Sequence, residues 1–247
     1  MLFYILFFTL IGSVFSLIGG VVILFKEKLA LRISHLLFSF AAGTLLGTAF
    51  FDLLPEAASN APKDINIFLW ALIGFLVFFL IERFIHWFHH HHEHPAEPAL
   101  KPTVALITLG DSVHNFIDGV AIAAAYLINP GLGLITAIST FLHEVPHEIG
   151  DFGILLKSGW QKRKIIGVNL ISALSTVIGA LAVLYLAPSE ALEGYLLAGA
   201  AGLFLYLGAS DFLPQADENS QRLPQVAVMM LGMLIMYLTL NVIPHGH

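Results

Sequence analysis

Residues 141–151, FLHEVPHEIGD, place His143 and His147 four positions apart, with Glu144 between them and Glu148 and Asp151 following. Residues four apart share one face of a helix. H-E-x-x-H is the spacing with which two imidazoles hold a zinc ion while the glutamate serves as a general base. A second set precedes it. Asp111, His114 and Asp118 follow i, i+3, i+7 on one helical face, with Asn115 beside them. Both sets sit inside strongly apolar stretches, where an ionised side chain at the bilayer centre costs about 2.5–3.5 kcal/mol even on the lenient insertion scale. They must therefore face inward, toward each other, a cation or water. Imidazoles, an amide and carboxylates brought together suit a borderline divalent cation such as zinc or iron(II). Pro146 withholds one N–H, and its ring crowds the carbonyl of Leu142, so a disturbed helix is expected between the two histidines.

The elements that must carry these sets are membrane spans. The chain is 57% hydrophobic and only 11% charged, with a mean hydropathy of +0.85; a soluble domain carries roughly 25% charged residues. Cysteine is absent, which removes thiolate metal sites and a cysteine nucleophile. The net charge of -6 excludes a general basic surface for nucleic acid. A span needs about 20 apolar residues. Eight segments qualify, near 2–25, 33–55, 65–88, 102–127, 131–156, 165–187, 194–213 and 224–243, separated by charged or turn-like stretches such as KEKLALR and SNAPKD. The first lacks a basic leader and reads as a span, not a cleaved signal. The short NPG turn makes the fourth and fifth segments antiparallel neighbours, so their polar sets meet near the bilayer midplane. Of the 11 basic residues, only Lys63 falls in an even-numbered loop. That asymmetry puts the odd loops in the cytoplasm and both termini outside it. The expected fold is an all-α polytopic membrane protein, a single membrane-embedded domain over 1–247 bathed in lipid. Its third loop, about 86–101, is cytoplasmic and contains HWFHHHHEH, a tract of the kind that binds transition metals. No internal repeat is evident along the chain. A short chain without cysteine points to a bacterial inner membrane, with an organelle membrane as the other location.

HNFIDG (114–119) together with HEVPHEIGDF (143–152) resembles the paired fourth- and fifth-helix signature of the ZIP (Zrt-, Irt-like) metal transporters, in the branch that carries HEVPHE. AAGTLLGTAFFDLLPEA (41–57) and AGAAGLFLYLGASDFLPQ (198–215) are similar to the family's second and seventh helices. The resemblance implies import of a divalent metal into the cytoplasm, with zinc, iron, manganese or cadmium as substrate and no catalytic cofactor. It places the family's metal-binding positions on His114, Asn115, Asp118, His143, Glu144 and His147, for one ion or two. A homodimer is compatible with the same likeness.

Around that centre, Asp52 and Glu56 at the outer end of the second segment form an expected entrance. Glu148 and Asp151, further toward the cytoplasm, form an expected exit leading to His89, His90, His91 and His92. Small residues in the first, second and seventh segments would let helix groups slide. Two readings stand beside the transporter. An intramembrane zinc metalloprotease would use the H-E-x-x-H at 143–147, and a sensor or structural membrane protein would bind metal without moving it.

Overall fold

The computed structural model describes residues 1–60, 66–90, 100–157, 159–186, 190–216 and 222–243. The helices are α1 (Leu2–Gly12), α2 (Leu17–Thr48), α3 (Leu54–Asn60), α4 (Ile67–His90), α5 (Leu100–Ile128), α6 (Pro130–Lys157), α7 (Lys162–Leu186), α8 (Glu190–Tyr206), α9 (Leu213–Ala216) and α10 (Arg222–Val242). There is no strand among the described residues. Five described segments are long and apolar enough to cross a membrane: Leu2–Val22, Arg32–Ser59, Ile67–Phe84, Lys162–Leu186 and Gly194–Phe212. A shorter apolar helix covers Leu223–Thr239. α5 and α6 have 29 and 28 residues, also enough to span, and they carry the polar sets. The chain is an all-α polytopic membrane protein.

The first reversal falls where the charged KEKLALR stretch was expected to separate two spans. Gly12 and Gly20 lie against Thr140 and Phe152, whereas Phe38 and Thr48 lie against Gly150 and Ser139, so the first arm follows α6, the chain turns back between Gly20 and Phe38, and the second arm runs back along α6. The spans on either side are Leu2–Val22 and Arg32–Ser59. The local backbone stays helical through the reversal, within α2, as Lys, Glu, Leu, Ala and Arg are all strong helix formers. A further interruption lies at 13–16, where Ser13 Oγ donates to the Thr9 carbonyl at 2.8 Å and Ser16 Oγ donates to the Ser13 carbonyl. Such local bonds compete with the helical ladder.

A repeat also emerges that the linear sequence hides. α2 ends in a π-helical turn, Ala49–Leu53, just before Leu54-Pro55; α8 ends in another, Leu207–Phe212, just before Leu213-Pro214. The reason is common to both. A proline cannot donate to the carbonyl four residues back and its ring crowds it, and a widened turn relieves that crowding. Ala41-Ala42-Gly43, Asp52, Leu54-Pro55 and Ala57 recur as Ala200-Ala201-Gly202, Asp211, Leu213-Pro214 and Ala216. The copies cross antiparallel, with Gly208 against Ala42 and Leu46 and the Phe38 ring on Phe212. Pro146 leaves α6 continuous by contrast.

α4 packs on α8 through Tyr206, whose hydroxyl donates to Glu82 and whose ring contacts Phe75 and Phe78 at 5.2 and 5.5 Å. Tyr206→Phe keeps the ring and removes only that bond. Interhelical bonds in membranes average about 0.6 kcal/mol and reach about 1.7, so the variant should melt only a few degrees lower in detergent and bind zinc as wild type does.

Candidate metal centre

Local sequence fixes the α5–α6 hairpin that builds the centre. Asn129 Oδ1 accepts from the Gly131 N–H at 2.7 Å, and Pro130 opens α6 at the position where a missing N–H costs nothing. The two helices descend side by side, and their polar faces meet. His114, Asp118, His143 and Glu144 each bring a donor atom within 4.8 Å of the others. His114 Nε2 lies 3.3 Å from His143 Nε2 and 3.0 Å from Glu144 Oε1. His143 Nε2 lies 3.2 Å from Asp118 Oδ2, and the cross distances His114–Asp118 and His143–Glu144 are both 3.7 Å. Four donors about 2.0–2.1 Å from one zinc, placed tetrahedrally, stand roughly 3.3 Å apart. The five measured edges bracket that value.

The surroundings aim these donors. His143 Nδ1 donates to the Ser139 carbonyl at 3.0 Å, which leaves the lone pair of Nε2 pointing into the quartet; outer partners of this kind orient metal-binding imidazoles. The Ser139 hydroxyl lies 2.6 Å from that of Thr48 on α2. Phe78 stands edge-on to His114, and Phe204 and Phe212 wall His143. All four donor residues are at most 3% exposed, and Asp118 and Glu144 have buried oxygens with no hydrogen-bond donor. Buried, unpaired carboxylates are too costly to persist without a compensating cation. Two carboxylates and two neutral imidazoles balance one divalent ion.

His147, the other half of the H-E-x-x-H, does not close the same quartet. Its Nδ1 sits 3.5 Å from Glu144 Oε1 and 3.8 Å from Asp111 Oδ1, in a second group with Asp111 and Asp151. Glu148 joins a third group with Asp111 and Glu144. Glu144 therefore lies among the donors instead of standing off as a general base, and the two histidines serve different groups. That arrangement gives no support to a protease. Asn115 is buried, but its amide is already engaged: Nδ2 donates to Asp111 Oδ1 at 2.8 Å, and Oδ1 accepts from Thr176 at 3.0 Å.

Asp52 is buried in the first π turn and Glu56 is half-buried one turn on. Neither belongs to a converging donor group among the described residues. Since Thr48 lies beside Ser139 and Phe38 beside Gly150, Asp52 is on the hairpin-turn side of the quartet and Asp151 on the opposite side. α4 continues helically through His90, into the histidine tract. His91 and His92 lie outside the described residues, as do the side chains of His89 and His90. Sequence reasoning noted Asp111 without assigning it as a donor, and missed Thr176 altogether. The signal was available in the small polar series Asn169, Ser172 and Thr176, spaced 3 and 4 along a segment without a carboxylate, and all three are buried.

The profile of the ZIP zinc transporter family matches residues 1–103 and 89–240. Among curated relatives, the chain is 30% identical over 258 residues to zinc transporter ZIP13 of Mus musculus, covering 86% of this chain and 71% of that protein. It is 29% identical over 263 residues to zinc transporter zipt-7.2 of Caenorhabditis elegans, covering 82% of this chain and 57% of the relative. It is 45% identical over 117 residues to zinc transporter ZIP4 of Homo sapiens, covering 47% of this chain and 18% of that protein. The chain thus spans little more than half of zipt-7.2 and under a fifth of human ZIP4. With the profile matched across almost its whole length, this chain belongs to the ZIP zinc transporter family.

Proposed function

We propose that this protein carries divalent transition metal ions across a membrane into the cytoplasm, zinc foremost, with iron(II), manganese(II) and cadmium(II) as further substrates. The observation that carries the reading is the buried quartet of His114, Asp118, His143 and Glu144, whose donor atoms bracket a tetrahedral zinc shell. Its position supports passage. Asp52 and Glu56 lie to one side as an entrance, and His147, Glu148 and Asp151 lie to the other as an exit, leading to the histidines at 89–92. Asn115 takes part through its bonds to Asp111 and Thr176. The ion is substrate, no catalytic cofactor takes part, and the whole chain, 1–247, acts as one membrane domain.

In this reading the quartet sits near the bilayer midplane, both termini are extracytoplasmic, and the loop at 86–101 faces the cytoplasm. The membrane is a bacterial inner membrane and the working unit a homodimer. The test is initial-rate uptake of radioactive zinc into proteoliposomes, beside a His143→Ala/His147→Ala double variant. Wild-type uptake well above empty liposomes, falling to background in the variant and competed by iron, manganese and cadmium, is expected. Undiminished uptake by the double variant would sink the assignment of the path.

A further inference from the structure

One aromatic ring lies over both histidines of the H-E-x-x-H. Phe212, the last residue of the second π turn, has its ring 6.1 Å from that of His143 and 5.9 Å from that of His147, and it is fully buried. Those imidazoles serve different donor groups, so an ion that leaves the quartet along α6 toward His147 passes the edge of Phe212. Phe38 of α2 packs on the same ring at 5.8 Å. Beside the ring there is room to receive it. A cavity of about 570 Å³ has Ala209, Leu213 and Ala216 on its wall, which flank Phe212 along the chain, together with Ser39, next to Phe38, and Gln225 and Val226 of α10. Among the described residues that line it there is no carboxylate or imidazole. Its two polar side chains turn to the backbone: Ser39 Oγ donates to the His35 carbonyl at 2.8 Å, and Gln225 Nε2 donates to the Ala216 carbonyl. The space suits a hydrocarbon ring and not a cation, which would find no charge to offset its lost water.

We propose that Phe212 is a side-chain gate: its ring covers the step from the quartet to His147 in the state seen here, and it swings into the adjacent cavity to let the ion pass. The proposal rests on the transport reading for its purpose. A helical phenylalanine has two common χ1 wells, about 120° apart, so one rotamer change carries the ring from one neighbouring space to the other. The backbone favours mobility at this point. The Leu213 N–H reaches back five residues to the Gly208 carbonyl, and π turns of this kind recur at functional sites. An apolar ring over the path also withholds water and polar ligands from an ion in transit, as hydrophobic constrictions do in channels. The cavity takes the ring, and the ion continues along α6.

The test fills the cavity and leaves the ring in place. Ala209→Phe and Val226→Trp occupy it from opposite walls, and Ala209→Ser is the unfilled control. Zinc-loaded full-length protein in detergent is mixed with excess chelator and the release rate is followed, with His86, His89, His90, His91, His92 and His94 replaced by glutamine in every sample so that the tract does not contribute. Each filling variant should release zinc about tenfold more slowly or less, because the swung ring loses its place. The equilibrium affinity should stay unchanged, because a gate alters entry and release alike. Phe212→Ala should release zinc faster than wild type, and adding Ala209→Phe to it should change nothing further; Phe212→Leu serves the same comparison if the alanine variant does not fold. Release at the wild-type rate from both filled variants overturns the gate, and so does a filling effect that persists without the Phe212 ring. Slower release matched by tighter binding overturns it as well, since the effect would then lie in the donors. The expected release pattern with no zinc uptake in proteoliposomes would instead defeat the transport reading and leave the gate standing.

Discussion

Glu144→Gln is expected to weaken zinc binding by on the order of a hundredfold and, at the same time, to raise the melting temperature of the zinc-free protein. The two effects have one cause. Glu144 is fully buried, its Oε1 is 3.0 Å from His114 Nε2 and 3.5 Å from His147 Nδ1, and neither oxygen receives a hydrogen bond. Asp111 and Glu148 crowd it from the second side. Without a cation this is a set of like charges removed from water, each costing several kcal/mol. Glutamine removes one charge and supplies an N–H₂ that can donate to a neighbouring carboxylate. With zinc bound the balance inverts, because a divalent ion in an apolar bundle then faces only Asp118 as an anionic ligand of the quartet. A hundredfold loss corresponds to about 2.7 kcal/mol, modest for a lost ionic ligand. Thermal melts with chelator and with graded zinc read both quantities, since zinc at a hundred times its dissociation constant should stabilise wild type by about 2.7 kcal/mol. A zinc-free variant that melts below wild type would mean that Glu144 glues helices together and is not held open for an ion.

The meeting of the polar sets on α5 and α6 in a candidate metal centre was legible in the sequence because helical spacing is strict and because ionisable residues in apolar spans are too expensive to be incidental. The i, i+4 rule pairs His114 with Asp118, and the antiparallel turn brings α6 against them; the same rule pairs His143 with His147, whereas the quartet takes His143 with its neighbour Glu144, a choice that spacing alone does not predict. Other features were hidden for identifiable reasons. Asp111 and Thr176 matter through a neighbour on another helix, and spacing along one segment does not reveal which helices touch. The break at 13–16 was missed because serines inside an apolar stretch read as tolerated, whereas the reversal across the charged KEKLALR was legible even though its residues are good helix formers and keep the local backbone helical. The repeat linking 41–57 to 200–216 escaped notice because Gly47 and Thr48 are answered by Tyr206 and Leu207; the likeness lies in the π turn before each Leu-Pro, a property of the backbone.

The other large effect concerns the contact that holds α5 in place. A Cβ on Gly119 would overlap the carbonyl of Thr176, and one on Gly179 would overlap the carbonyl of Phe116. α5 and α7 thus meet backbone to backbone at reciprocal glycines, the small-residue packing by which membrane helices approach closely. Gly119 follows Asp118 of the quartet, and Thr176 is the residue that holds Asn115. Gly119→Ala must push the helices apart, since a carbonyl in a helix cannot swing away as a side-chain tip can. Overpacking in yielding cores already costs about 1–3 kcal/mol, so the loss here should reach about 3 kcal/mol or more, with poor recovery of monodisperse protein and no measurable zinc binding. Gly167→Ala on α7 is the matched comparison. Its Cβ would meet nothing within 4 Å, and alanine is favoured over glycine in a helix by about 0.8–1.0 kcal/mol, so that variant should melt at or above wild type. If Gly119→Ala instead behaves as Gly167→Ala does in melting and in zinc titration, α5 and α7 do not touch as described, and the route from Thr176 through Asn115 to Asp111 falls with that contact.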